Sequence, residues 1–168
     1  MEITTPRLRI TAFTLDMAQA VHENSLDEDN RCFVPDEVFE TVDEARETIE
    51  YLMGCYESGE GPLVYPVQTH SAVVVGYVQA VPMDDGCYEI GYHIGKKYTR
   101  QGYASEAVAA FLPVIMDRLS ISSIMGICLA ENAASIKVME RCGFEKEFEG
   151  IGAYQGEQRS ICRYRFSR

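Results

Sequence analysis

Between Leu63 and Gly95 the chain breaks into three apolar runs, Leu63 to Thr69, Ala72 to Val81 and Tyr88 to Gly95, separated by turns of only a few residues. Strands joined that tightly pair antiparallel, because a parallel connection needs a crossover of about a dozen residues or more. The turns are polar or glycine-bearing (His70-Ser71, then Asp84-Asp85-Gly86), as hairpins require. The fold is therefore built round an antiparallel meander. Pro66 has no N–H to give to a ladder, so the first run is expected at an edge or a bulge. In the third run Tyr88, Ile90, Tyr92 and Ile94 share one face, and Glu89, Gly91 and His93 share the other.

Ahead of the meander, Leu8 and Ile10 alternate with polar residues as a short strand, and a helix is expected from an Asp16 cap to about Glu23. Asn24 to Glu40 reads as a long loop or broken helix. Thr41 and Glu44 have the capping-box spacing, opening a helix that Gly59 and Gly61 end. After the meander come a helix from Tyr103 to about Leu119, with Pro113 expected to kink it, and a buried strand over Ile121 to Leu129. A helix over Asn132 to Arg141 stops at Gly143, and a hairpin turns around Gly152 to Gly156. The order β-α-α-β-β-β-α-β-α-β-β is an α/β (α+β) mixture. No linker or repeat interrupts it, so residues 1–168 are read as a single domain.

Charge narrows the functions available. Fifteen Lys+Arg stand against 26 Asp+Glu, a net of −11. Nucleic-acid binding and anionic membrane surfaces both want a basic footprint, which argues against each. The six cysteines include no C-x-x-C pair, and the opening residues show no cationic leader before an apolar stretch. Reduced core thiols and a cytoplasmic location are the expectation. Three histidines without helical pairing make a metal site improbable.

Two segments carry chemistry. In Tyr98-Thr99-Arg100-Gln101-Gly102-Tyr103-Ala104-Ser105, a glycine turn opens a helix whose first N–H groups and positive dipole end suit a phosphate or pyrophosphate. It is neither a P-loop nor a Rossmann fingerprint. The second segment, Asn132 to Phe144, places an N-cap asparagine three residues before Ser135 and ends in Glu140-Arg141-Cys142-Gly143-Phe144.

Together these segments resemble the GNAT acyl-CoA N-acyltransferase superfamily, and within it the RimJ/RimL-like ribosomal-protein N-terminal acetyltransferases. The first is similar to the Q/R-x-x-G-x-G/A loop followed by A-x-E-A (Ala104 to Ala107). The second matches N-x-x-S-x-x-[VL]-[LM]-E-[RK]-x-G-F at every fixed position, and Thr5-Pro6-Arg7-Leu8-Arg9-Ile10 is typical of the branch's opening. Thr99 departs from the usual Gln or Arg, and Met139 stands where many members carry a tyrosine that protonates the leaving thiolate.

The resemblance implies a mostly antiparallel sheet of about seven strands with helices on both faces, split between the fourth and fifth strands to hold acetyl-CoA as co-substrate. It implies contacts to CoA from Tyr92, His93, Ile94, Arg100, Gln101, Gly102, Tyr103, Ala104, Ser105, Asn132 and Ser135. A bulge in the strand Tyr88 to Gly95, common in the family, would change which side chains face the cleft.

Glu89 is the expected base, acting directly or through water, with His93 in reserve; Ser135 is the expected acid in place of the missing tyrosine. The acceptor implied is a protein or peptide N-terminal α-amine, with Glu89, Phe33 and Tyr51 beside it. A polyamine or aminoglycoside is the alternative, since acidic residues between Glu23 and Glu60 are opposed only by Arg31 and Arg46. A non-catalytic acyl-CoA sensor also fits, and the chain is expected as a monomer or homodimer.

Overall fold

The computed structural model describes residues 1–168. One mixed sheet of eight strands runs in the order β1-β2-β3-β4-β5-β6-β8-β7. The meander is β3 (Leu63–Thr69), β4 (Val74–Pro82) and β5 (Tyr88–Ile94). β2 (Leu8–Ile10) lies on its outer side, with a two-residue β1 (Ile3–Thr4) beyond. β6 (Ser123–Leu129), β7 (Glu145–Tyr154) and β8 (Glu157–Ser167) form the other half. All pairings are antiparallel except β5 with β6. β1 escaped sequence reading because two residues carry no periodicity.

Alternation along β3 divides the core. Leu63, Tyr65 and Val67 join the larger cluster with Val78 and Ala80 of β4, Ile90 of β5, and Val108, Phe111, Leu112 and Ile115 of α4 (Tyr103–Leu119). Val64 points the other way, into a smaller cluster with Ala18 of α1 (Ala18–Ser25) and Ala45, Ile49 and Leu52 of α3 (Val42–Ser58). Helices thus cover both faces. α5 (Ala133–Arg141) lies beside α4, and its Met139 joins the larger cluster.

The structure corrects some local expectations and bears out others. Asp16 is not a cap: a single 3₁₀ turn at Leu15–Met17 precedes α1, whose N-cap is Met17. The Asn24–Glu40 stretch is a broken helix, the second of its two readings: a short α2 (Glu28–Phe33), capped by Asp27, and a 3₁₀ turn at Pro35–Glu37. Of the two expectations for Pro66 the bulge holds: β3 lies inside the sheet, its register shifts at Val67/Gln68, and Pro66 lies just past the end of the β2 ladder. α4 is continuous through Pro113, which lies on its exposed side. The terminal hairpin is tighter than expected, turning on Gln155 and Gly156, both at positive φ, and β8 pairs with β6 to complete the chain's own sheet. The Thr41–Glu44 capping box and the left-handed Gly59 stop stand as expected.

The functional opening comes from the one parallel pairing. β5 and β6 share a single registered pair, Glu89 with Met125, and separate beyond it. The β5 backbone groups that face β6 after Glu89 consequently have no strand to bond.

Candidate active site

A cavity of about 520 Å³ occupies this split and continues over the α1–α3 face of β4 and β5. One end reaches Lys96, Thr99 and Ala104, at the entrance to α4; the other lies among Phe33, Val34, Glu37, Met83 and Tyr154. Glu89, Tyr92, His93, Ile94, Asn132 and Ser135, all singled out in the sequence, line it between those ends.

At the α4 end the backbone is left-handed at Arg100 (φ 62°) and again at Gly102 (φ 79°). The first helical bond runs from the Glu106 N–H to the Gly102 carbonyl, leaving the N–H groups of Tyr103, Ala104 and Ser105 at the helix start. The loop is held from outside by the opening segment of the chain. Arg7 donates from Nε to Glu106 Oε2 at 2.6 Å and from Nη1 to the Gln101 carbonyl at 2.7 Å, and lies over the Tyr103 ring. The Thr5 hydroxyl and the Arg7 N–H donate to the other Glu106 oxygen. The Thr5-Pro6-Arg7 motif is therefore a brace for the glycine turn. Replacing Arg7 by alanine is expected to raise the KM for acetyl-CoA by about fivefold while leaving kcat nearly unchanged, since a partly exposed ion pair is individually weak. Initial rates against acetyl-CoA concentration check this.

Glu89 sits on the β5 face that also carries Gly91 and His93, as alternation predicts. The β4–β5 register runs from Gly76/Ile94 to Pro82/Tyr88 without a shift, so the bulge expected in this strand is absent. Burial pushes the Glu89 carboxyl up to about 7, against the pull of the nearby Ile127 N–H, and the Glu37 carboxylate adds to the rise. That range suits a group that exchanges a proton near neutral pH.

His93 is committed elsewhere. Its Nε2 lies 3.6 Å from Asp27 Oδ2, and its ring packs on Tyr77. The neighbouring His93 ring holds Asp27 at about 2, helped by the Asn30 N–H from which this cap residue accepts.

Across the split, the Asn132 side chain accepts from the Ser135 N–H at 3.1 Å and caps α5. The Tyr92 hydroxyl donates to the Ser135 carbonyl at 2.9 Å and lies 2.8 Å from Ser135 Oγ. Either hydroxyl can be the donor in the second contact. Burial raises the Tyr92 hydroxyl well above the ordinary tyrosine range, so it stays protonated. Met139 is 1% exposed and packs onto Gly126, where a Cβ would come within 2.6 Å of its sulfur; it belongs to the core and forms part of the cavity wall.

The acceptor end shows which part of the acidic run matters. Of those carboxylates only Asp27, Asp29 and Glu37 line the cavity; Glu40 pairs with Arg31, and Glu44 serves the capping box. Phe33 lines it too, and its carbonyl accepts from the Tyr154 hydroxyl at 2.9 Å, a strap from the terminal hairpin to α2. Tyr51 does not join them, being 60% exposed on α3 with its ring beside Gly61. Glu37, Gln79 and Tyr154 were not singled out in the sequence; no local pattern marks residues that meet only through sheet register and a hairpin.

A sheet split at a parallel pair, with an open helix N-terminus on one side and a buried carboxylate on the other, defines an acyl-CoA-dependent transferase cleft. The chain belongs to the GNAT family: the sequence profile of the acetyltransferase (GNAT) domain matches residues 7–145. It is an N-acetyltransferase that uses acetyl-CoA as co-substrate. An uncharacterized N-acetyltransferase of Bacillus subtilis, YnaD, is 30% identical over 149 residues, spanning 88% of this chain and 84% of that one. A GNAT-family acetyltransferase from Bacillus anthracis superposes with a TM-score of 0.84 at 29% identity, over 99% of this chain and 98% of the other. RimL, the ribosomal L7/L12 α-N-protein acetyltransferase solved with coenzyme A, shares the fold at a TM-score of 0.82 and 19% identity, over 99% and 98%. No cluster of His, Cys, Asp or Glu is placed to hold a metal ion, and no helix is long and apolar enough to cross a membrane.

Proposed function

We propose that the chain acetylates a primary amine by direct attack on the acetyl-CoA thioester, with Glu89 as the base. The observation that carries this is Glu89 itself: a carboxylate raised to about 7, at the last registered pair before the sheet splits. Glu89 takes the ammonium proton, directly or through one water. The unpaired β5 backbone beyond it, around Tyr92 and His93, supplies the N–H for the developing oxyanion and lies along the pantetheine arm. Backbone N–H groups from Arg100 to Ser105 receive the pyrophosphate. Ser135, oriented by Tyr92 and by the Asn132 cap, delivers a proton to the departing thiolate, while Phe33 and Glu89 border the acceptor.

The RimJ/RimL-like sequence features support a peptide or protein N-terminal α-amine as acceptor. A small cationic amine is the second reading, favoured by Glu37, which lines the cavity together with Phe33 and Tyr154. Acetyl-CoA-dependent release of CoA, followed by chromatography over Ala- and Ser-initiated peptides, polyamines, aminoglycosides and amino acids, tests both. Release with the peptides supports the first reading, and release with only the small amines supports the second. Tight CoA binding without release from any acceptor would overturn the transfer reading in favour of a sensor.

A further inference from the structure

Glu37 is an unusual residue for a cavity wall. It reaches the cavity from the 3₁₀ turn after α2, which Asn30 steadies by donating from Nδ2 to the Glu37 carbonyl at 3.3 Å. One carboxylate oxygen, Oε1, accepts from Gln79 Nε2 at 3.0 Å. The other, Oε2, is buried and has no hydrogen-bond partner. A carboxylate in this condition carries an uncompensated desolvation cost, and a cation is the partner that offsets it best.

The sheet fixes where that oxygen stands relative to the reaction. Gln79 lies flat over Gly91, where a Cβ would come 2.7 Å from Gln79 Cγ, and this directs its amide toward Glu37. Gln79 pairs with Gly91, so Glu89, two residues earlier on the same face, is its diagonal neighbour, with Cα atoms roughly 7–8 Å apart. Glu37 therefore stands one side chain beyond the base. No lysine or arginine pairs with Glu37, and the His93 ring nitrogen Nε2 faces Asp27 Oδ2 at 3.6 Å instead. Val34, Met83 and Tyr154 give the space between an apolar wall suited to a short carbon chain.

We propose that Glu37 Oε2 receives a second cationic nitrogen of the acceptor, so that the chain prefers amines bearing another ammonium a few bonds from the nitrogen acetylated. This rests on the acetyl-transfer reading and sharpens it. The same chemistry is offered by a small diamine and by a peptide with a basic residue next to its N-terminus.

Two matched pairs separate those sources: 1,4-diaminobutane against butylamine, and a Ser-Lys peptide against its Ser-norleucine counterpart. In the parent chain at least one pair is expected to favour the cationic member by about tenfold or more in kcat/KM. In Glu37→Gln that ratio should fall to within about twofold, and Glu37→Asp should restore part of it. The pair that responds identifies the source. No preference in the parent, or a preference that Glu37→Gln leaves intact, overturns the proposal.

Calorimetric titration of 1,4-diaminobutane and of the Ser-Lys peptide into the CoA-saturated protein separates this proposal from the transfer reading. Binding that Glu37→Gln weakens, without turnover of any acceptor, would keep the Glu37 site and remove the transfer reading. Binding of both compounds that Glu37→Gln does not change, or no binding of either, would remove the Glu37 site.

Discussion

Glu89→Gln is expected to lower kcat by about 10²- to 10⁴-fold, the usual worth of a positioned general base, while CoA affinity stays within about twofold of the parent. The substitution keeps size and shape and removes the charge and the proton acceptor. In the parent, kcat/KM should rise with pH and lose its Glu89-dependent slope near 7, because the base must be ionised and burial holds it protonated below that point. The variant should lose this inflection and retain only that of the acceptor amine. A pH profile of both proteins, beside CoA titrations, checks the pair of expectations; an unchanged kcat would remove Glu89 from the mechanism.

Stability gives this experiment an internal control. The folded chain holds the Glu89 proton up to about pH 7, whereas the unfolded chain releases it near the ordinary value of 4.5. Between those values the folded state binds more protons, so Glu89 lowers stability as pH rises. Glu89→Gln removes that contribution. The variant should melt above the parent at pH 8, with the difference shrinking toward pH 4. An inactive variant that melts higher has lost chemistry rather than structure.

How far the sequence could be read depended on the range of the interactions involved. The meander, the Thr41–Glu44 capping box, the Asn132 cap and the glycine turn at 102 were legible because each is decided within a few residues, by period, cap or conformational freedom. Glu89 was legible for the same reason, as a polar residue on the opposite face from Ile90 and Tyr92. The far end of the cavity was legible only as an acidic stretch beside Phe33, not as a set of contacts. Glu37 reaches the site through Gln79, 42 positions away, and Tyr154 through Phe33, 121 positions away. Neither pairing has a local signature. Tyr51 illustrates the converse: an aromatic residue in an acidic stretch reads as a wall, yet its position on α3 turns it to solvent. The Thr5-Pro6-Arg7 motif was visible as a pattern, but its work as a brace emerged only when β2 and α4 came together.

The glycine turn leads to the second large effect. Gly102→Val is expected to weaken CoA binding by about 100-fold, near 2.7 kcal/mol. Gly102 has φ 79°, a conformation that costs a β-branched residue heavily, so valine would drive the turn toward another backbone path. The N–H groups from Arg100 to Ser105, proposed above to receive the pyrophosphate, would then be displaced. Space is a lesser obstacle, since the nearest atom to an added Cβ is Arg7 Nη2 at 3.4 Å, the end of a flexible side chain. The donor used in the assay separates a lost cradle from general damage. Acetyl-pantetheine has no pyrophosphate, so its KM should change little in the variant while that of acetyl-CoA rises about 100-fold. Parallel rises for both donors would mean that the turn supports the fold rather than the anion, and the pyrophosphate would have to be assigned to other residues.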